Sequence, residues 1–377
     1  MLRRFEVKNF KNFNDWFSFD LSDVKDYQFN PECVENNIVS KSLIYGPNGC
    51  GKTNLGRAIF DIKTHLTDDK TNDNYLSNYL HAGSNSELAE FKFVFQFGND
   101  ILEYVYGKKS VNELIYEALS INDKVVISLD RRINNTATVN LQGAENLNRD
   151  MTDANISVIK YVKNNTVLTD NASKMIFERF FLFVKLMVLE RTINSHNEIA
   201  FNAALVSTII LEQKNGLLRF ESFLIEAGVK CKLTTLNKGD EKIVAFDFNG
   251  EKIDFCTIAS TGTLSLTELY IHLLFLKKEV EFCKGQVNIL PFIFVDEFDA
   301  FYHHKVSMLI VKQLRSLKCQ AVLTTHNTSV MSNDLLRPDC YFFMSETEIQ
   351  PMHRFTDKDL RKAHNIEKFY RTGGCDG

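Results

Sequence analysis

Gly46-Pro47-Asn48-Gly49-Cys50-Gly51-Lys52-Thr53 decides how the rest of the chain is read. An apolar run, Ser42-Leu43-Ile44-Tyr45, leads into it, and the helix-like stretch Leu55-Gly56-Arg57-Ala58-Ile59-Phe60 follows. Strand, glycine-rich loop and helix in that order make a P-loop. Glycine lacks a Cβ and tolerates unusual φ values, so successive backbone N–H groups can turn inward toward a phosphate chain. The helix adds the positive end of its dipole. Lys52 is expected to reach the β- and γ-phosphates of ATP, and the Thr53 hydroxyl to bind Mg²⁺.

The whole chain sets bounds on this reading. Its 377 residues can bury a large core, with 44% hydrophobic and 24% charged residues, as in ordinary globular proteins. A net charge of −4 gives no global attraction to nucleic acid, so a DNA contact would need a local basic patch. Eight cysteines, with no CxxC pair, suggest reduced thiols in a cytoplasmic protein and not a disulfide framework or zinc site. The opening Met1-Leu2-Arg3-Arg4-Phe5-Glu6 has no apolar signal core. The most apolar stretch, Met175 to Leu189, is broken by Glu178, Arg179 and Lys185, so no membrane span is expected.

In chain order, Leu2 to Val7 and Trp16 to Asp20 read as short strands around Asn9-Phe10-Lys11-Asn12-Phe13. Beyond the P-loop helix, Leu66 to Ser86 is polar and irregular. Phe91 to Phe97, Ile101 to Tyr106, Glu113 to Ser120 and Val125 to Leu129 alternate as an antiparallel meander would. Gln96 reads either as the polar face of its strand or as a glutamine that senses Mg²⁺ and the attacking water. From about Asp153 to Glu226 the pattern turns helical, with apolar stripes through Met175–Leu189 and Ile209–Leu224 but no sustained heptads. Asn249-Gly250 between Ile243–Phe248 and Ile253–Phe255 signals a hairpin. The expected division is residues 1–150, an ATPase lobe with P-loop and meander; 151–240, a helical insertion; and 241–377, a second ATPase lobe.

The second lobe carries the remaining chemistry. Ser260-Thr261-Gly262-Thr263 stands before a helix expected from about Leu264 to Lys277, and a helix start with a hydroxyl and a glycine can cap or bind an anion. Pro291-Phe292-Ile293-Phe294-Val295 reads as a buried strand ending in Asp296-Glu297, the Walker B pattern. Asp296 is expected to hold Mg²⁺ through water, and Glu297 to polarise the attacking water; two carboxylates there are costly unless a cation compensates them. Asp299 follows, then His303-His304, read as cap and surface residues before a helix from about Lys305 to Leu317. Gln320 to Thr324 is another short strand, and His326 at its carboxyl end is placed to meet the γ-phosphate. Asp339 to Met344 closes the sheet, and the basic residues of the closing stretch read as a solvated face.

The order of P-loop, Ser-x-Gly helix start, Asp-Glu strand and Thr325-His326-Asn327 strand end resembles the ABC-type ATPases of the SMC/RecF/OLD branch. Phe10-Lys11-Asn12-Phe13 is similar to an Asn-Phe-Lys-Ser-Phe stretch found there, with Asn12 in place of serine. The resemblance implies an α/β class, the ABC-ATPase P-loop fold with an antiparallel β-subdomain and a helical insertion. It also implies a homodimer sandwiching two ATP molecules head to tail. Ser260 and Gly262 would then touch the γ-phosphate bound at the other subunit's Lys52, and Asp299 would act as the D-loop residue. The degenerate signature implies slow turnover. An insertion of roughly 200 residues without a long coiled coil speaks against an SMC protein, and the roughly 50 residues after His326 are too few for a TOPRIM nuclease. What remains resembles stand-alone ATPases of bacterial anti-phage systems, such as that of the PARIS system, whose separate partner is a TOPRIM nuclease. The stretch Asn365 to Gly373 is similar to the ending of such proteins. The competing expectation is a RecF-like ATPase of DNA repair, against which the acidic balance weighs.

Overall fold

The computed structural model describes residues 1–68, 78–191, 203–286, 290–300, 302–358 and 360–374. Two sheets enclose the P-loop helix. The first is a seven-stranded antiparallel sheet in the order Thr138–Val139, Lys124–Asp130, Glu113–Ile121, Asp100–Ser110, Ala89–Phe97, Leu2–Lys8, Phe17–Asp20. Strict alternation builds it: Phe91, Phe93, Phe95 and Phe97 face inward, with the partly exposed Lys92, Val94 and Gln96 between them. The expected meander is therefore present, extended at one edge by the two N-terminal strands.

The second sheet has six strands in the order Val188–Arg191, Phe292–Asp296, Gln320–Thr324, Lys41–Tyr45, Tyr341–Met344, Ile349–Pro351. The first five run parallel and the last antiparallel. Three central strands, Lys41–Tyr45, Phe292–Asp296 and Gln320–Thr324, are buried at every residue, as parallel strands covered on both faces must be. Their parallel alignment brings the P-loop, Asp296-Glu297 and Thr325-His326 to one edge of the sheet, where α/β folds place their ligands. This is the expected α/β P-loop fold with an antiparallel β-subdomain.

The P-loop helix, Lys52–Leu66, touches both sheets. A Cβ on Gly56 would come 2.7 Å from the Phe294 ring, so only glycine lets the helix pack this closely on the Walker B strand. On its other side, Asp61 accepts from the hydroxyls of Tyr79 and Tyr106 and from Lys108 Nζ, each at 3.0 Å. Lys108 and Asp61 are both fully buried. A second polar chain leaves the same helix: His65 meets Tyr104 at 2.8 Å, and Tyr104 donates to Glu117. Glu117 in turn accepts from Ser157 Oγ and the Val158 N–H at the start of the helix Val158–Asn165. Burial holds the His65 imidazole well below its usual range and pushes the Glu117 carboxyl up.

Several expectations need correction. The apolar stripe Met175–Leu189 is not one helix: the helix Ala172–Lys185 ends, and Val188–Arg191 becomes the edge strand of the sheet beside Phe292–Asp296. Hence a strand from inside the span 151–240 belongs to the central sheet. The stripe Ile209–Leu224 breaks into Ala203–Leu211 and Gly216–Glu226, with Asn215 in a left-handed conformation between them. The helix expected from Leu264 starts at Thr261 and runs to Gln286, so Ser260 caps it and Gly262 lies inside its first turn. Ile349–Pro351, not Tyr341–Met344, is the last strand of the sheet. The Asn249-Gly250 hairpin forms as expected, both residues having positive φ. Of the stretch Leu66 to Ser86, expected to be irregular, residues 69–77 lie outside the described residues.

Candidate nucleotide site

The strand Lys41–Tyr45 delivers the chain to Gly46, and the helix starts at Lys52. Pro47, Asn48 and Gly49 form the exposed tip, while Cys50 and Lys52 are buried. Gly51 caps the helix with φ of 105°, a conformation that a side chain would strain. A Cβ there would also collide with the side chain of Asn12. Asn12 Nδ2 donates to Cys50 O at 3.4 Å, and Asn54 Nδ2 donates to Asn12 Oδ1 at 2.7 Å. The N-terminal turn is thus pinned to the phosphate loop, and an asparagine at this position fits because it spans both partners.

Lys52 Nζ donates to Gly46 O at 2.8 Å and Pro47 O at 3.1 Å, lying over the inside of the loop. Burial lowers its pKa, against the pull of Cys50, Glu297 and Asp296. Thr53 Oγ1 donates to Asp296 Oδ2 at 2.7 Å, joining the P-loop to the Walker B strand. Asp296 Oδ1 accepts from Thr324 Oγ1 at 2.8 Å. A hydroxyl and a carboxylate brought together in this way are the hard oxygen donors that suit Mg²⁺, with the Lys52 ammonium nearby for phosphate.

Glu297 has φ of 49°, unusual for a residue with a long side chain. Its N–H donates to Thr324 Oγ1 at 2.7 Å, and this bond holds the backbone in place. Thr324 therefore anchors both acidic residues, a role the sequence reading missed although a hydroxyl at the end of the adjacent strand was visible.

His326 is exposed beyond the next strand end. Partial desolvation, and then the charge of Lys52, lower its pKa, while Glu297, Asp299 and Asp296 oppose them. The shift favours the neutral imidazole, which lies within electrostatic reach of the same cluster. Asp299 Oδ1 accepts from Thr325 Oγ1 at 2.7 Å; burial raises its carboxyl pKa in spite of that bond.

The remaining candidates lie elsewhere. Ser260 Oγ receives the Thr263 N–H at 3.3 Å, and Ser260 and Thr261 are exposed at the start of their helix. Among the described residues, no hydrogen bond ties Ser260 or Gly262 to the P-loop. The Gln96 side chain is far from a phosphate role: it bonds Arg3 and Gly98 O, and its backbone pairs with Met1. It lies near the end of Ala89–Phe97, an interior strand of the antiparallel sheet. His303 precedes the helix His304–Ser316 as its N-cap residue. Glu190, which the sequence did not single out, is buried one register step from Asp296, in the strand paired with Phe292–Asp296.

Comparison with known proteins follows from this geometry. The family described as "AAA domain, putative AbiEii toxin, Type IV TA system" matches residues 42–332, from the P-loop strand past the histidine turn. No curated protein matches the sequence. Among solved structures, the SMC head domain from Thermotoga maritima is 15% identical with a TM-score of 0.43, covering 93% of this chain and 98% of that one. An SMC head bound to the C-winged helix domain of ScpA is 14% identical with a TM-score of 0.49, covering 93% and 96%. The recombination mediator RecF with ATP is 14% identical with a TM-score of 0.41, covering 93% and 99%. Because the family match takes in P-loop, Walker B strand and histidine turn together, the chain belongs to this AAA-domain family.

Proposed function

We propose that the chain is an ABC-type ATPase that hydrolyses ATP slowly to ADP and phosphate, acting as sensor and scaffold for a separately encoded effector in bacterial anti-phage defence. One observation carries the ATPase reading: Thr53, Asp296 and Thr324 form a continuous hydrogen-bonded link from P-loop to Walker B, with Glu297 fixed beside it. In this reading the backbone N–H groups of residues 48–51 and the Lys52 side chain would hold the β- and γ-phosphates, and Thr53 and Asp296 would hold Mg²⁺. The metal would supply charge neutralisation for the phosphates. Glu297 accepts a proton from the attacking water, and neutral His326 donates a hydrogen bond toward the γ-phosphate.

Ser260 and Gly262, at an exposed helix start apart from their own chain's P-loop, suit a contact across a head-to-tail homodimer. Asp299 stands at that interface as the D-loop residue.

The effector reading draws on the family description, which names a toxin–antitoxin system. Among the described residues no group of three His, Cys, Asp or Glu side chains is placed to hold a metal as a nuclease would require. No described helix is long and apolar enough to cross a membrane. The helices Ala203–Leu211 and Gly216–Glu226 leave Leu205, Leu218 and Ile225 exposed, a surface the ATP site does not use and an effector such as a TOPRIM nuclease could cover. The test is expression with and without the neighbouring gene, reading cell growth and nucleic-acid cleavage. The chain alone is expected to be harmless and cleavage to require the neighbour; robust cleavage by the purified chain alone would overturn the scaffold reading.

A further inference from the structure

His326 is placed by its turn and not by its own side chain: among the described residues no hydrogen bond is made to the imidazole. Upstream, the turn is tied to the core. The Thr325 N–H donates to Ile44 O at 3.1 Å, Thr325 Oγ1 donates to Asp299, and the Asn327 N–H donates back to Thr325 Oγ1 at 2.9 Å. Downstream, the tie comes from a segment some 40 residues later in the chain. Thr328 Oγ1 donates to Glu367 Oε1 at 3.0 Å and accepts from Arg371 Nη2 at 2.9 Å. Arg371 Nη2 also pairs with Glu367 Oε1 at 2.7 Å, across one helical turn. The single hydroxyl of Thr328 therefore uses its donor on Glu367 and its acceptor capacity on Arg371, which also donates through Nε at 3.3 Å.

The clasp rests on a fixed support. Ile366 is buried, and the Tyr370 ring stacks on Phe343 with centroids 5.0 Å apart and planes at 18°. The same ring lies 6.2 Å from Tyr45, the residue immediately before Gly46. Residues 366–371 thus touch both the chain entering the P-loop and the turn carrying His326.

We propose that Thr328 is a positioning residue for ATP hydrolysis, held by Glu367 and Arg371 so that the turn keeps His326 facing the phosphate site; this rests on the ATPase reading above. The Arg371 side chain is 65% exposed, and a surface pair of this kind adds little to folding stability. Its loss should therefore appear in the geometry of the reaction, where small misplacements of a reacting group are costly.

The experiment measures steady-state ATP hydrolysis by the full chain carrying Thr328→Val, Thr328→Ser or Arg371→Ala, with thermal melting as a fold control. Thr328→Val preserves shape and removes the hydroxyl; it is expected to lower kcat about tenfold with KM for ATP within about twofold. Thr328→Ser keeps the hydroxyl and should retain most of the wild-type kcat, and Arg371→Ala should fall between the two. An unchanged kcat in Thr328→Val, equal losses in Val and Ser variants, or a loss confined to KM would each overturn the positioning role. A wild-type chain that hydrolyses no ATP would instead overturn the ATPase reading on which it depends.

Discussion

Glu297→Gln is expected to keep ATP bound while slowing its hydrolysis by about 10²–10⁴-fold, the usual contribution of a general base. The substitution preserves size and keeps a hydrogen-bonding side chain, but an amide cannot accept the proton of the attacking water. Binding should survive because its groups are untouched: Thr53 and Thr324 still bond Asp296, and Lys52 remains over the loop. The backbone should also survive, since the residue at 297 is held through its N–H by Thr324 and not through its carboxylate. Nucleotide retention measured with labelled ATP, beside phosphate release, separates the two effects. Hydrolysis at the wild-type rate would show that Glu297 is not the base.

The largest effect on stability is expected from Lys108→Met. The strand Asp100–Ser110 alternates through Leu102, Tyr104 and Tyr106, so Lys108 falls on the buried face and not at the surface. There its ammonium meets Asp61 Oδ2 at 3.0 Å and Thr64 Oγ1 at 2.6 Å, both on the P-loop helix. Burial lowers the Lys108 pKa, and the charge of Asp61 opposes that shift. Methionine fills the same volume but takes the ammonium away from the buried Asp61 carboxylate, which keeps the neutral hydroxyl donors of Tyr79 and Tyr106. Breaking a buried pair on one side costs about 3–5 kcal/mol, whereas replacing both partners by apolar groups of similar volume can be nearly neutral. Urea unfolding should therefore show a large loss for Lys108→Met and a smaller one for Lys108→Met combined with Asp61→Leu. A loss below about 1 kcal/mol for the single variant would remove the pair from the account of how the two sheets are joined.

What the sequence made legible was local. The P-loop and Asp296-Glu297 are read from contiguous residues whose backbone chemistry determines their spacing, and the meander from alternation within single strands. The pieces that escaped depend on partners far along the chain. Val188–Arg191 continues an apolar run that suits a helix, and only pairing with Phe292–Asp296, about 100 residues later, makes it a strand. Lys108 lies beyond the strand read as Ile101 to Tyr106, and nothing nearby in sequence announces its partner Asp61. Gln96 had the residue type for a phosphate-site role, but its position in the antiparallel sheet gives it Arg3 and Gly98 as partners. Glu367 and Arg371 show their own four-residue spacing in the sequence, whereas Thr328 between them is visible only in the fold. Ser260 was legible as a helix cap; its exposure is what suits a contact with a second copy.

The central claim is a hydrolytic site shared between two copies of the chain, and mixing two inactive variants tests it most directly. Lys52→Ala removes the phosphate contact of its own P-loop, and Ser260→Arg blocks the helix start that would complete the partner's site. Neither variant should hydrolyse ATP alone. In a head-to-tail dimer of one chain of each kind, one site loses both contributions and the other keeps both. An equal mixture that exchanges freely should thus recover about a quarter of the wild-type rate, half of the dimers being mixed with one good site in two. Phosphate release rising from background toward that value on mixing is the predicted result; a mixture that stays at background, or Ser260→Arg chains that are fully active alone, would contradict it.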